Sequence, residues 1–356
     1  MMNDQILKKL SVLRKSIREI SHQDISLMEV CGTHTMSIAQ HGIRSMLPKN
    51  IKIIGGPGCP VCVTSQSDIQ MAIDLAQREN FIIATFGDML KVPSQGDYLS
   101  NYPNVKMLYS PLDSLKMAQE NPDQEIVLLG IGFETTTPLI AATILKAQEQ
   151  EIKNFSVLSM QKAIPVAMTA ILQDPECRVD GLILPGHVSS IVGKNYYKFL
   201  DPLKIPSVIS DFRPLGIMES IFLLTKYINQ GVYQVTNNYP AVVSDEGNQE
   251  ALRILFEVYQ DCDAGWRGIG VIPKSAHGIK DKYSQFDAAK KFDLTFQDIP
   301  EPPGCRCGEI LMGKAGPTDC GLFANKCTPL NPIGPCMVSA EGTCAAFYKY
   351  QPVLEQ

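Results

Sequence analysis

The chain has 356 residues, 45% of them hydrophobic, and a formal net charge of −5. That length supports a substantial core divided among two or three domains. Thinly spread Lys and Arg leave no footprint for nucleic acid, and no run approaches the roughly 20 apolar residues of a membrane span.

The charged N-terminus, MMNDQILKKLSVLRKSIREI, is unsuited to a signal-peptide core, so a cytoplasmic location is expected. In that reducing compartment eleven cysteines point to metal ligands or reactive thiols, and an odd number cannot pair completely within the chain.

Ile6, Leu10, Leu13, Ile17 and Ile20 recur at helical spacing and predict a first helix. A strand, turn, helix rhythm follows. SLMEV leads into CGTHT, IKII into GGPGCPVC, and FIIATF and VKMLY supply two further strands, which together read as an α/β domain over residues 21–120. The rhythm restarts with EIVLLGI before GFETTTP, then FSVLSM, GLILP before GHVSS, and PSVIS, a second α/β domain over 121–235. Beyond GIGVI the chain becomes rich in Pro, Gly and Cys, a composition that cannot build an ordinary core and usually needs a metal to fold.

Three motifs carry thiol chemistry. Cys31 follows a strand and opens a helix, where ligands gather in open α/β sheets and free N–H groups favour a thiolate. His34, one helical turn on, is a candidate second metal ligand or proton donor. Cys59 and Cys62 form CPVC, a spacing suited to a small disulfide or one metal. No second close pair lies in this unit to complete a zinc site, which favours redox use.

Glu134 in GFETTTP and His187 in GHVSS also follow apolar strands and are candidate proton-transfer groups, although Thr136, Thr137 and Pro138 also fit a plain helix cap. Neither GxGxxG nor GxxxxGK[ST] occurs, so no dinucleotide or P-loop site is expected.

In the tail, Cys305, Cys320, Cys327 and Cys344 follow C-x14-C-x6-C-x16-C, four thiolates of the kind a cubane iron–sulfur cluster takes. Structural zinc is the competing reading, with the wide spacing favouring iron–sulfur. Cys307 is an alternative to Cys305, and Cys336 fits a buried thiol. The absence of CxxxCxxC argues against radical S-adenosylmethionine chemistry.

Taken together, EVCGTHT, GGPGCPVC, GFETTTP, LPGHVSSI and the tail PTDC and CTPLNPIGPCMVSAEGTCAA resemble the HypD family, in order and over nearly the whole chain. The resemblance implies two related parallel-sheet α/β domains and a third, cysteine-rich domain carrying a [4Fe-4S] cluster, here residues 1–20 with 236–356. It implies a [NiFe]-hydrogenase maturation scaffold for the Fe(CN)2CO group, working with the small chaperone HypC and the cyanide donor HypE. Cys31 would hold the iron, Cys59 and Cys62 would be the redox pair, His187 would serve the GHVS motif, and the tail cysteines would be cluster ligands. An iron–sulfur-dependent thiol-disulfide oxidoreductase without iron cargo is the alternative.

Overall fold

Two parallel sheets dominate the computed structural model, which describes residues 4–350. Strands β1 (Ile25–Glu29), β2 (Ile51–Gly55), β3 (Phe81–Thr85), β4 (Val105–Met107), β5 (Glu125–Gly132), β6 (Phe155–Gln161), β7 (Gly181–Pro185), β8 (Ser207–Ser210) and β9 (Val235–Asn237) make them up. One sheet has the order β2-β1-β7-β8-β9 and the other β4-β3-β5-β6. Helices cover the sheets, so strands such as β5 and β7 are buried almost throughout and read as unbroken apolar runs.

The sheets do not follow the division at residue 120 that the sequence rhythm suggests. β1 and β2 pair with β7 to β9, while β3 and β4 pair with β5 and β6. The chain leaves the first sheet after β2 through short helices Pro60–Val63 and Gln66–Ala76, builds all of the second, and returns at β7. Ser65 starts the longer of those helices with a capping box, its side chain accepting from Asp68 N while the Asp68 carboxylate accepts from Ser65 N.

The N-terminal segment departs from expectation as well. Helix Asp4–Ile20 buries Leu10 and Ile17 among Ile217, Ile221 and Leu224 of helix Pro214–Gln230, on the first sheet rather than on the cysteine-rich tail. Residues beyond 236 likewise divide. Helix Gln249–Val258 packs on helix Thr137–Glu149, and the antiparallel hairpin β10 (Tyr259–Trp266) and β11 (Gly270–Ile279) lies against β6. The same hairpin reaches the CPVC turn, where Arg267 N donates to Val63 O at 2.9 Å. The cysteine-rich part proper, from about residue 301, has no strands among the described residues. It is held by short helices such as Cys307–Leu311 and by helix Thr343–Tyr350, which packs on helix Gly32–Gln40.

Both sheets share a topology. In each, one βα connection runs outward from the centre and the next runs the other way, which opens a crevice between β1 and β7 in the first sheet and between β3 and β5 in the second. Cys31 and His187 follow the two strands at the first switch point, and Glu134 follows β5 at the second.

Candidate metal and thiol site

Cys31 caps helix Gly32–Gln40 from an extended backbone position. Its turn touches the CPVC turn backbone to backbone. Gly32 N donates to Gly58 O at 3.2 Å, and a Cβ on Gly58 would stand 2.2 Å from Cys31 N, so glycine there is a steric requirement. Cys59 caps the following short helix, its Sγ accepting from Cys62 N at 3.3 Å. The two thiols lie 2.7 Å apart and buried, and Cys62 Sγ is also 3.9 Å from Pro335 O.

Electrostatics correct the thiolate expectation. Backbone N–H groups of Thr33 and His34 do lower the Cys31 pKa, but burial outweighs them and, with the nearby Glu341 charge, pushes the thiol up to about 12. Burial also drives Cys62 well above the usual thiol value. Both thiols therefore keep their protons near neutral pH until a metal or an oxidant removes them.

The surroundings of Cys31 are dense in polar groups. The Glu29 carboxyl accepts from Cys31 N at 3.1 Å and from Thr35 Oγ1 at 2.5 Å, and burial lifts its pKa to about 8. Glu341, from the tail, accepts from Thr33 Oγ1 at 2.7 Å. His34 Nε2 bonds Asp211 O at 3.0 Å while Nδ1 is buried without a partner, and burial lowers its pKa to about 4. The His34 and His187 rings both pack on Phe212, with centroids 4.8 and 4.1 Å away, so the two imidazoles share one aromatic wall. Partial burial also lowers the pKa of His187. Neutral imidazoles at this wall are acceptors and potential ligands rather than cations.

Glu134 is buried. It accepts from Ile164 N at 2.9 Å and from the Tyr196 hydroxyl, with His277 Nε2 at 4.0 Å and its second oxygen unpartnered. Its charge reaches Tyr197, which hydrogen-bonds Ser189 at 2.9 Å and also feels Cys31. Glu134 thus belongs to a buried polar network, with no direct bond to the thiols among the described residues.

In the tail, Cys305, Cys307, Cys320, Cys327 and Cys344 line one small cavity whose other walls include Ile310, Leu322, Phe323 and Met337. Cys327 Sγ accepts from Ile333 N at 3.3 Å. A Cβ on Gly334 would come within 2.5 Å of Cys307 Sγ and 2.8 Å of Cys305 Sγ, so the chain there must be glycine for the sulfurs to crowd in. Among the described residues no three His, Cys, Asp or Glu side chains already stand as a metal-holding group. The donor set nevertheless fits a soft metal centre, because the cavity offers sulfur alone, with no carboxylate or imidazole in its walls.

Cys336 has a place that sequence reasoning missed. Its buried thiol lies beside those of Cys307 and Cys62, whose influence holds its pKa below the usual thiol value. Cys307 in turn neighbours Cys305, so adjacent cysteines lead from Cys59 and Cys62, whose thiols lie 2.7 Å apart, past Cys336 and Cys307 to the cavity. The remaining cysteines, Cys177 and Cys262, lie outside both centres. Glu29 and Glu341 were also overlooked, although each stands two or three residues before a cysteine in EVC and EGTC.

Fold and site together define an α/β protein of two doubly wound parallel sheets, with buried thiols at and beside a switch point and a cysteine-rich metal-site candidate next to them. Comparison with known proteins is consistent along the chain. The HypD family model, described as the hydrogenase formation hypA family, matches residues 6–351. The hydrogenase maturation factor HypD of Azotobacter vinelandii is 43% identical over 338 residues, covering 91% of this chain and 89% of the relative. HypD of Cupriavidus necator is 41% identical over 341 residues (92% and 90%), and HypD of Escherichia coli 36% over 357 residues (98% and 96%). The chain belongs to the HypD family of hydrogenase maturation factors. Among the described residues no helix is long and apolar enough to cross a membrane.

Proposed function

We propose that the chain is a cytoplasmic, redox-active scaffold on which the Fe(CN)2CO group of [NiFe] hydrogenase is assembled, together with a HypC-like chaperone and a HypE-like cyanide donor. The observation that carries this reading is the succession of adjacent cysteines that leads from the buried Cys59 and Cys62 pair to the cysteine-lined cavity, next to the Cys31 turn.

Cys31 is the proposed ligand for the incoming iron, which is substrate rather than resident cofactor. Its proton leaves as the metal–sulfur bond forms, and soft sulfur suits iron that is to take cyanide and carbon monoxide. Release of cyanide from an S–CN carrier consumes two electrons. The Cys59 and Cys62 dithiol supplies two as it closes to a disulfide, so that dithiol plus carrier–S–CN becomes disulfide, carrier thiol and hydrogen cyanide. His34 and His187, kept neutral at the Phe212 wall, are the proposed acceptors of the proton that Cys31 releases, or further ligands to the iron. Glu134 orients Tyr196 and the start of helix Ile164–Gln173.

Cys305, Cys320, Cys327 and Cys344 are the proposed ligands of a [4Fe-4S] cluster. When bound, such a cluster supplies one-electron chemistry. Cys307 lines the same cavity and is the alternative to Cys305.

Infrared spectroscopy tests the scaffold. Protein purified without oxygen alongside the chaperone should display cyanide and carbonyl stretches that vanish in Cys31→Ala. Brown, iron-loaded wild type without those bands would favour the thiol-disulfide oxidoreductase, a reading supported by the 2.7 Å thiol contact.

A further inference from the structure

A groove of about 930 Å³ runs along β2, bounded by the tail at Gly313–Pro317 and by Phe347. β2 is the edge of its sheet, paired with β1 alone, and all five of its residues, Ile51 to Gly55, line the groove. An edge strand presents backbone donors and acceptors that another extended chain can use, and folds usually cover such edges or load them with charge. Here Lys52 is the strand's only charge.

The walls are strongly basic although the chain as a whole is acidic. Six Lys or Arg side chains line the groove against two acids, Glu176 and Asp319. Both acids are engaged, Glu176 with Lys314 at 2.8 Å and Asp319 with Gly316 N at 2.8 Å. Lys314 is further saturated by Asp174, and Arg44 stacks over Phe347. Arg18, Lys49, Lys52 and Arg178 are exposed, and none makes an ion pair among the described residues. Four unspent cations thus flank a strand edge that no strand other than β1 pairs with among the described residues, although Ile51 N donates to Pro48 O at 3.0 Å and Arg44 Nε to Ile53 O at 3.4 Å.

We infer that this groove docks an extended, acidic segment of a partner protein, added to β2 as a further strand. Side chains of a strand alternate between faces, so acidic residues at every second position would meet the cations while the backbone pairs with β2. Single-stranded nucleic acid fits less well, because Phe347 is the one aromatic side chain lining the groove among the described residues and sequence-tolerant binding needs several stacking surfaces. Ile310 lines both this groove and the cysteine cavity, which brings the docked segment beside the proposed cluster.

Fluorescence anisotropy with the full-length protein and a labelled eight-residue peptide of alternating glutamate and valine provides the test. Saturable binding is expected at roughly 1–100 μM in low salt. Both Lys52→Glu/Arg178→Glu in the protein and N-methylation of alternate peptide amides should weaken it about tenfold or more. The substituted residues are exposed, so an unchanged melting temperature serves as the folding control. The inference is overturned if wild type fails to bind the peptide near ~1 mM, a thousandfold short of a micromolar fit. It is overturned equally if the N-methylated peptide binds as well as its parent, or if an octanucleotide competes on equal terms.

Discussion

The two sulfur centres are built on opposite principles. Cys31, Cys59 and Cys62 sit at the ends of parallel strands, where backbone bonds and the Gly58 contact determine their place before any ligand arrives. The cavity cysteines hang from turns and short helices without a single strand among the described residues, and their sulfurs share walls but form no finished coordination group there. A framework of hydrogen-bonded sheet can hold thiols poised and protonated. A loop-built cavity leaves the last part of its organisation to the metal.

Removing a cavity ligand should separate the two most sharply. Cys320→Ser is expected to lose the visible absorption and most bound iron and to destabilise the tail by several kcal/mol, on the order expected where metal binding drives folding. Iron analysis and proteolysis of the tail would check it, and full iron content would refute the ligand assignment. Cys62→Ala lies on the other side of the comparison. It should stop hydrogenase maturation while keeping iron content intact and costing only about 1 kcal/mol of stability, seen as a melting shift of a few degrees. Normal maturation would break the dithiol reading.

Acid sensitivity should belong to the sheet-framed centre. Burial holds His34 near pKa 4, so the folded chain keeps it neutral while an unfolded chain protonates it below about 6.5. Lowering the pH from 6.5 towards 4 therefore removes stability, up to about 3 kcal/mol. In His34→Gln, where an amide nitrogen can keep the bond to Asp211 O, urea unfolding across that range should be flatter by most of this amount. A slope identical to wild type would assign the acid sensitivity elsewhere. The smallest effect is expected at Cys262, half-buried on β10 and away from both centres. Cys262→Ser should leave iron content and maturation unchanged and shift stability by less than about 1 kcal/mol.

The alternation of strand and helix, the turns that bear Cys31, Cys59, Cys62, Glu134 and His187, and the sulfur-rich tail were legible because each is local. Apolar runs ending in Gly-rich turns report strands and their exits, and cysteine spacing reports a shared ligand. Cys336 was read only as a buried thiol, since nothing within GPCMV tells that Cys62, far away in the chain, lies against it. Glu341 was passed over for the same reason.

By itself, then, the sequence determined the α/β class, the residues capable of thiol chemistry and the family to which the chain belongs. Tertiary structure alone decided which strands share a sheet, that helix Asp4–Ile20 joins the first sheet, and that burial keeps Cys31 a thiol instead of a thiolate. Strand pairing depends on contacts distant in sequence, and a pKa depends on the solvent a folded neighbourhood excludes. Neither is encoded in the spacing of residues along the chain.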